Sequence, residues 1–233
     1  MSPTPRERAR LAAVDDIKRI ARRQLAEGGV GALSLREIAK EMGLVSSAVY
    51  RYVPSRDALL TWLISDAYNR LGATAEAADA AHARDDLAGR WRALAGSLRD
   101  WARAHPADYA LVYGAPVPGY EAPPETYAPA QRWLEIMIDV LVRSDSTAPD
   151  PADPAVRDLL ADLRDRRSPG SPLGGVAAGL GAWTQLHGLV SLEIHGQLAF
   201  VLPGDAGDFF RHCVDQQIRE LHLADAGRPA HDP

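Results

Sequence analysis

Apolar residues recur at three- and four-residue spacing along most of the chain. No segment alternates apolar and polar residues long enough to form a strand, so the pattern predicts an all-α fold. Leu11, Val14, Ile17, Ala21 and Leu25 mark a first amphipathic helix, closed by Gly28-Gly29. Ser34 and Glu37 have the spacing of a capping box that opens a second helix, and Ile38 and Met42 lie one turn apart on it. Gly43 ends that helix where a positive φ costs little, and Ser46-Ser47-Ala48 opens the next. Ser55 caps a longer helix carrying Leu59, Leu63, Ala67 and Leu71. The Ala-rich stretch 73–83 either extends it or links it to the following one.

The later chain keeps the helical period. Leu87, Trp91, Leu94, Leu98 and Trp101 predict a helix ending near His105-Pro106. Five prolines between 114 and 129 predict a loop, and Trp133, Ile136, Met137, Val140 and Leu141 another helix. Residues 144–154 read as an Asp/Pro/Ser linker, 156–167 as a shorter helix, 173–201 as a long one and 208–223 as the last. The domain boundaries expected are 1–56 for a three-helix head, 57–226 for a helical body and 227–233 for a flexible tail.

Two short helices crossing at a glycine turn form a helix-turn-helix, which presents one helix to a DNA major groove. Charge sharpens that expectation. The 233 residues carry a net charge of −5, yet residues 1–60 hold 11 Lys/Arg against 7 Asp/Glu, and the remainder 15 against 24. A basic head on an acidic body follows, and phosphate attraction acts only over a Debye length of ~8 Å. No apolar run is long enough to span a bilayer, and the first residues show no signal-peptide core. The single cysteine, Cys213, excludes an internal disulfide and fits a reducing cytoplasm.

Residues 10–60 resemble the DNA-binding domain of the tetracycline-repressor-like (TetR) family. Ile38-Ala39, Gly43, Ser47-Ala48, Tyr50, Tyr52, Pro54-Ser55-Arg56 and Leu59-Leu60 carry the match. Trp183 to Glu193, with His187-Gly188 at its centre, looks like the Trp-His-Gly signature of one C-terminal subclass of these regulators. The resemblance implies an N-terminal DNA-binding domain and a C-terminal bundle for ligand binding and dimerisation. By position, it implies that Ser46, Ser47 and Ala48 face base edges and that Arg36 reaches a guanine. Tyr50, Tyr52, Ser34 and Arg56 would hold phosphates, although at least one of the two tyrosines is expected to pack in the core. Val45 stands where many members have a Ser or Thr cap, so Ser46 is expected to take over capping. Val53 replaces a frequent Phe.

The resemblance further implies a homodimer, a palindromic operator and a small-molecule effector. Ala178 and Ala182 would let helices of two copies approach, with Phe210, Val214 and Leu221 as an apolar seam; the alternative is that these residues bury in the chain's own core. Trp101, Tyr109, Tyr113, Trp133, Met137, Trp183 and His187 are the candidate effector contacts, against the alternative that helical aromatics are simply core. An enzyme is the competing class. His187, Glu193 and His195 invite a metal or acid-base reading, but on a helix the two histidines differ by about 80° and ~12 Å. No His-Glu-x-x-His, P-loop or dinucleotide fingerprint appears, so no catalytic residue, metal or cofactor is expected. A regulator without a ligand, or one controlled by a protein partner, is the other alternative.

Overall fold

In a computed structural model, residues 4–144, 146–202 and 204–223 are described. The expected tail lies outside them. The described residues form ten α-helices and no strand. They fall into two compact units, Met1–Arg70 with Ala104–Ala130, and Leu71–Arg103 with Gln131–Pro233. No helix among the described residues is long and apolar enough to cross a membrane.

The first unit contains α1 (Pro5–Gly28), α2 (Leu35–Glu41), α3 (Ser46–Val49), the start of α4 (Arg56–Ala80) and α6 (Pro106–Tyr113). Thr4 and Glu7 form a full capping box at the start of α1, which apolar spacing alone does not reveal. Ile17, Ile20, Leu25, Ile38, Val49, Val53, Leu59 and Leu63 make one core, so the small Val53 is fully enclosed. Leu111 of α6 joins that core, and Val117 and Tyr120 of the proline-rich loop pack on it. The Thr61 and Tyr120 hydroxyls lie 3.0 Å apart, and the Tyr68 hydroxyl donates to the Val112 carbonyl.

α6 is a helix the periodicity did not predict. Pro106 ends the preceding helix, α5 (Leu87–Ala104), and opens α6 at its first position, where the missing N–H is not needed. The proline-rich loop is also shorter than expected. A 3₁₀ turn at Pro124–Thr126 leads into α7 (Tyr127–Val142), whose first turn accommodates Pro129.

The second unit packs α5, α7, α8 (Pro154–Arg167), α9 (Leu173–Ile194) and α10 (Gly207–Glu220) with the end of α4. α9 stops seven residues before the expected 201. Gly196 (φ 71°) is the left-handed residue of a Schellman end, with Gly196 N donating to Glu193 O and Gln197 N to Leu192 O. The helix approaches its neighbours closely at two glycines. A Cβ at Gly179 would lie 2.5 Å from Leu141 Cδ1, and one at Gly174 would lie 1.8 Å from the Ala148 carbonyl oxygen. The expected linker is therefore docked around Ala148, and the Asp150 carboxylate accepts from Gly174 N at 2.9 Å.

Polar side chains lock this unit from inside. Arg90, fully buried, pairs with Asp79 and Asp139, each at 2.7 Å, and so joins α5 to α4 and α7. Gln217 accepts from the Trp91 indole at 3.0 Å and donates to the Ala182 carbonyl at 3.1 Å, which joins α10 to α5 and α9. Arg99 grips Glu193 through two 2.7 Å hydrogen bonds and also reaches Asp205. Without Arg90, among the described residues Asp79 keeps only the exposed Arg84 and Asp139 only the exposed Arg143, so the buried side of each carboxylate loses its partner. Arg90→Ala is expected to lower stability by about 3–5 kcal/mol in urea unfolding; a loss below about 1 kcal/mol would show that Asp79 and Asp139 do not depend on it.

Candidate nucleic-acid interface and effector cavity

The turn between α2 and α3 is a Schellman motif. Gly43 (φ 68°) donates to Lys40 O at 3.1 Å and Leu44 N to Ala39 O at 2.8 Å. Only two further residues separate Gly43 from α3. The Ser34 hydroxyl accepts from Glu37 N as expected, but the reciprocal half of the capping box is replaced. Ser34 N donates instead to the Gln24 side chain of α1, and Glu37 pairs with Lys40. The turn and cap together fix α2 against α1 and hold α3 outward.

Ser46, Ser47 and Tyr50 are exposed, as is Arg36 on α2, and none of the four side chains has a hydrogen bond or ion pair among the described residues. Ser47 and Tyr50 are three positions apart and share a side. Ala48 is buried, at 8 % exposed. Val45 is the N-cap of α3 and supplies no side-chain bond; Ser46, the first helical residue, does not take over that role. Tyr52 is half-buried against the core with Arg10 over its ring, so of the two tyrosines it is the structural one. Arg56 donates to the Val30 carbonyl at 2.7 Å, a clip within the head that occupies one guanidinium nitrogen. Arg51, exposed and without a carboxylate partner among the described residues, was missed by sequence reasoning, though its place directly after Tyr50 was signal enough.

Four cations of α1 are neutralised by carboxylates. Lys18 and Arg22 share Asp66, Arg19 pairs with Asp16, and Arg23 with Glu41. Arg36 and Arg51, beside the turn, are exposed with no ion pair among the described residues.

In the second unit, α7, α8 and α9 enclose a cavity of about 270 Å³ with a mostly apolar wall. Of the expected contacts, Met137 and Trp183 line it. Trp133 and His187 stand beside it, with ring centroids of Trp183 and His187 4.8 Å apart and those of Trp133 and His187 6.0 Å apart. Trp101 is buried in α5 and does not line the wall, and Tyr109 and Tyr113 belong to the other unit, where their tilted rings lie 5.2 Å apart. These three are core, because their rings supply buried area to α5 and α6 rather than to a void. The wall is built instead by aliphatic residues such as Leu134, Ile138 and Val176, beside Gly175 and Gly179. Small residues on α9 leave the space, a signal that aromatic spacing does not carry.

Burial pushes the His187 imidazole down to about 4, so it is neutral at pH 7. Glu193 is held by Arg99, and His195 Nδ1 sits 2.7 Å from the Ser191 carbonyl, so the three groups of the metal or acid-base reading are separately engaged. Among the described residues, no group of three His, Cys, Asp or Glu could hold a metal ion.

The expected dimer seam also needs correction. Ala182, Phe210, Val214 and Leu221 are buried within the chain's own core, and Ala178 is half-buried. The apolar residues that α9 and α10 leave exposed are Leu180, Leu192 and Phe209, and Gly181 and Gly188 face open space.

A helix-turn-helix is a DNA-binding element, and comparison with known proteins places this one more closely. Residues 18–61 match the family model for bacterial regulatory proteins of the tetR family. Residues 91–217 match the tetracyclin repressor-like C-terminal domain. The HTH-type transcriptional regulators Rv1816 of Mycobacterium tuberculosis and Mb1846 of Mycobacterium bovis are each 39 % identical over 220 residues, 88 % of this chain and of theirs. The crystal structure of SCO4313 is 36 % identical, covers 93 % of this chain and 100 % of its own, and superposes with a TM-score of 0.76. A Rhodococcus sp. RHA1 protein of unknown function, 23 % identical over 90 % of this chain and 95 % of its own, shares the fold at a TM-score of 0.67. The chain belongs to the tetR family; it is a DNA-binding, helix-turn-helix transcriptional regulator.

The neutral His187 has a consequence for stability. Its folded pKa lies below the unfolded value, so between about 6.5 and 4 the unfolded chain binds a proton that the folded chain refuses. Stability should therefore fall as pH drops through that window, by on the order of 2 kcal/mol from this group. His187→Phe is expected to flatten this part of the pH–stability curve; an unchanged slope in urea unfolding would show that the imidazole is solvated.

Proposed function

We propose that the chain is a repressor that grips an inverted-repeat operator as a homodimer and lets go when a small molecule fills the α7–α8–α9 cavity. The single observation that carries the DNA half is the exposed, uncommitted set of Arg36, Ser46, Ser47, Tyr50 and Arg51 around the Gly43 turn. Arg36 suits a guanine edge and the two serines suit base or phosphate oxygens, while Arg51 and Tyr50 suit phosphates. Ser34 and Arg56 contribute by holding the head together. Two-fold pairing supplies a second head and so the symmetry of the operator. Leu180, Leu192 and Phe209, with the open glycines of α9, support α9 and α10 as the pairing surface.

Release is a population shift. The effector favours a body conformation whose heads no longer match the half-site spacing, by its difference in affinity for the two states. α4 runs unbroken from Arg56 to Ala80, starting in one compact unit and ending in the other, and is the natural carrier of that change.

A duplex selected from a random pool should contain an inverted repeat and bind with strong salt dependence. Arg36→Ala should weaken that specific complex by about 1–3 kcal/mol and relax preference at one position per half-site, while Arg51→Ala should lower the salt slope by about 1 for each phosphate it no longer neutralises. Fluorescence anisotropy checks both. Equal affinity of both variants and the parent chain for the selected duplex would contradict the assigned surface.

A further inference from the structure

We infer that the α7–α8–α9 cavity takes an anionic amphiphile: an apolar body of about ten carbons carrying one carboxylate. This rests on the reading of the cavity as the effector site and names the class of effector. The apolar part follows from the wall, where Leu134, Ile138, Val176 and Trp183 offer no charge. The size follows from a cavity of about 270 Å³, which suits a chain of medium length.

The anionic part follows from Arg167, the single charged residue on the wall among the described residues. It ends α8 together with Arg164 and Arg166, and a helix C-terminus favours all three cations. Arg164 pairs with Asp165 and Arg166 with Asp162. Among the described residues, Arg167 has no hydrogen bond or ion pair and no acid lines the cavity. Dipole compensation accounts for three arginines but not for the one left without a counter-ion being the one on the wall. Ser168 and Ser171 stand beside it with hydroxyls that make no hydrogen bond among the described residues. The amino end of the 22-residue α9 begins on the same wall at Pro172 and Gly175, which adds positive potential there. Asp150 holds the Gly174 amide but does not line the cavity. Arg167 is exposed, so the head group sits at the mouth and the apolar body points inward. A neutral molecule of the same length forfeits the charge-assisted bonds, and a cationic one meets Arg167.

The test uses the full chain with decanoate and 1-decanol, both below micelle-forming concentrations, and tryptophan fluorescence or calorimetry as readout. Decanoate should bind at least tenfold more tightly than decanol. Arg167→Met should remove at least that tenfold preference and leave decanol binding unchanged, and Arg167→Lys should restore most of it. Gly175→Leu supplies a second variant. A Cβ there meets only Ser146, its nearest atom at 3.6 Å, so the added side chain enters the void and should abolish binding of both compounds. No binding of either compound, equal affinity for the two, or decanoate binding untouched by Arg167→Met would overturn the assignment. Arg167-dependent decanoate binding that leaves operator affinity unchanged would uphold the ligand class and remove the regulatory reading instead.

Discussion

Two helices must end, cross and begin again within four residues at the DNA-facing end of this chain, and a left-handed residue at Gly43 is what makes that possible. An L side chain at a φ of 68° would bring its Cβ against the backbone, at a cost of about 1 kcal/mol. With Gly43 in place, the last carbonyls of α2 are satisfied by Gly43 N and Leu44 N, and Leu44 and Met42 turn toward the core. Val49 is then buried while Ser46, Ser47 and Tyr50 are left outside. That exposed surface is a by-product of how the turn satisfies its own backbone.

The rest of the head serves to keep the turn in place. Ile17 and Ile20 of α1 and Leu59 and Leu63 of α4 enclose Ile38 and Val49. The polar ties, Gln24 to the Ser34 amide and Arg56 to the Val30 carbonyl, fix the entrances to α2 and α4. Even the lysine and arginines of α1 are mostly drawn into Asp16, Glu41 and Asp66. A surface that looks basic in the sequence is therefore smaller once folded. The body follows another logic. Buried Arg90, Arg99 and Gln217 hold five helices in register, and glycines on α9 set how near α7 and the 146–150 segment can come.

The head was legible in the sequence because its signals are local: a cap three residues before a glutamate, a glycine after a helical run, apolar residues one turn apart. Those features act over a few residues and survive any tertiary arrangement. Ala48, Tyr52 and Arg56 were harder to place, since burial or a tie to Val30 depends on residues far away in the chain. The body was less legible for the same reason. Aromatic residues were the obvious guesses for a cavity, yet Trp101, Tyr109 and Tyr113 fill core, and the void lies where Gly175 and Gly179 remove side chains. Likewise the apolar seam of α10 faces inward, because Gln217 and Arg99 orient that helix through contacts more than 90 residues apart. Helix α6 escaped notice since a proline that ends one helix can also begin the next.

Chemical protection of guanine N7 on a selected operator duplex tests the central claim most directly, because N7 lies in the major groove. The account predicts protection in two patches related by a two-fold axis and separated by a whole number of helical turns. Bound protein that leaves every guanine N7 reactive would contradict it, since the surface around Gly43 would then not be what meets the DNA.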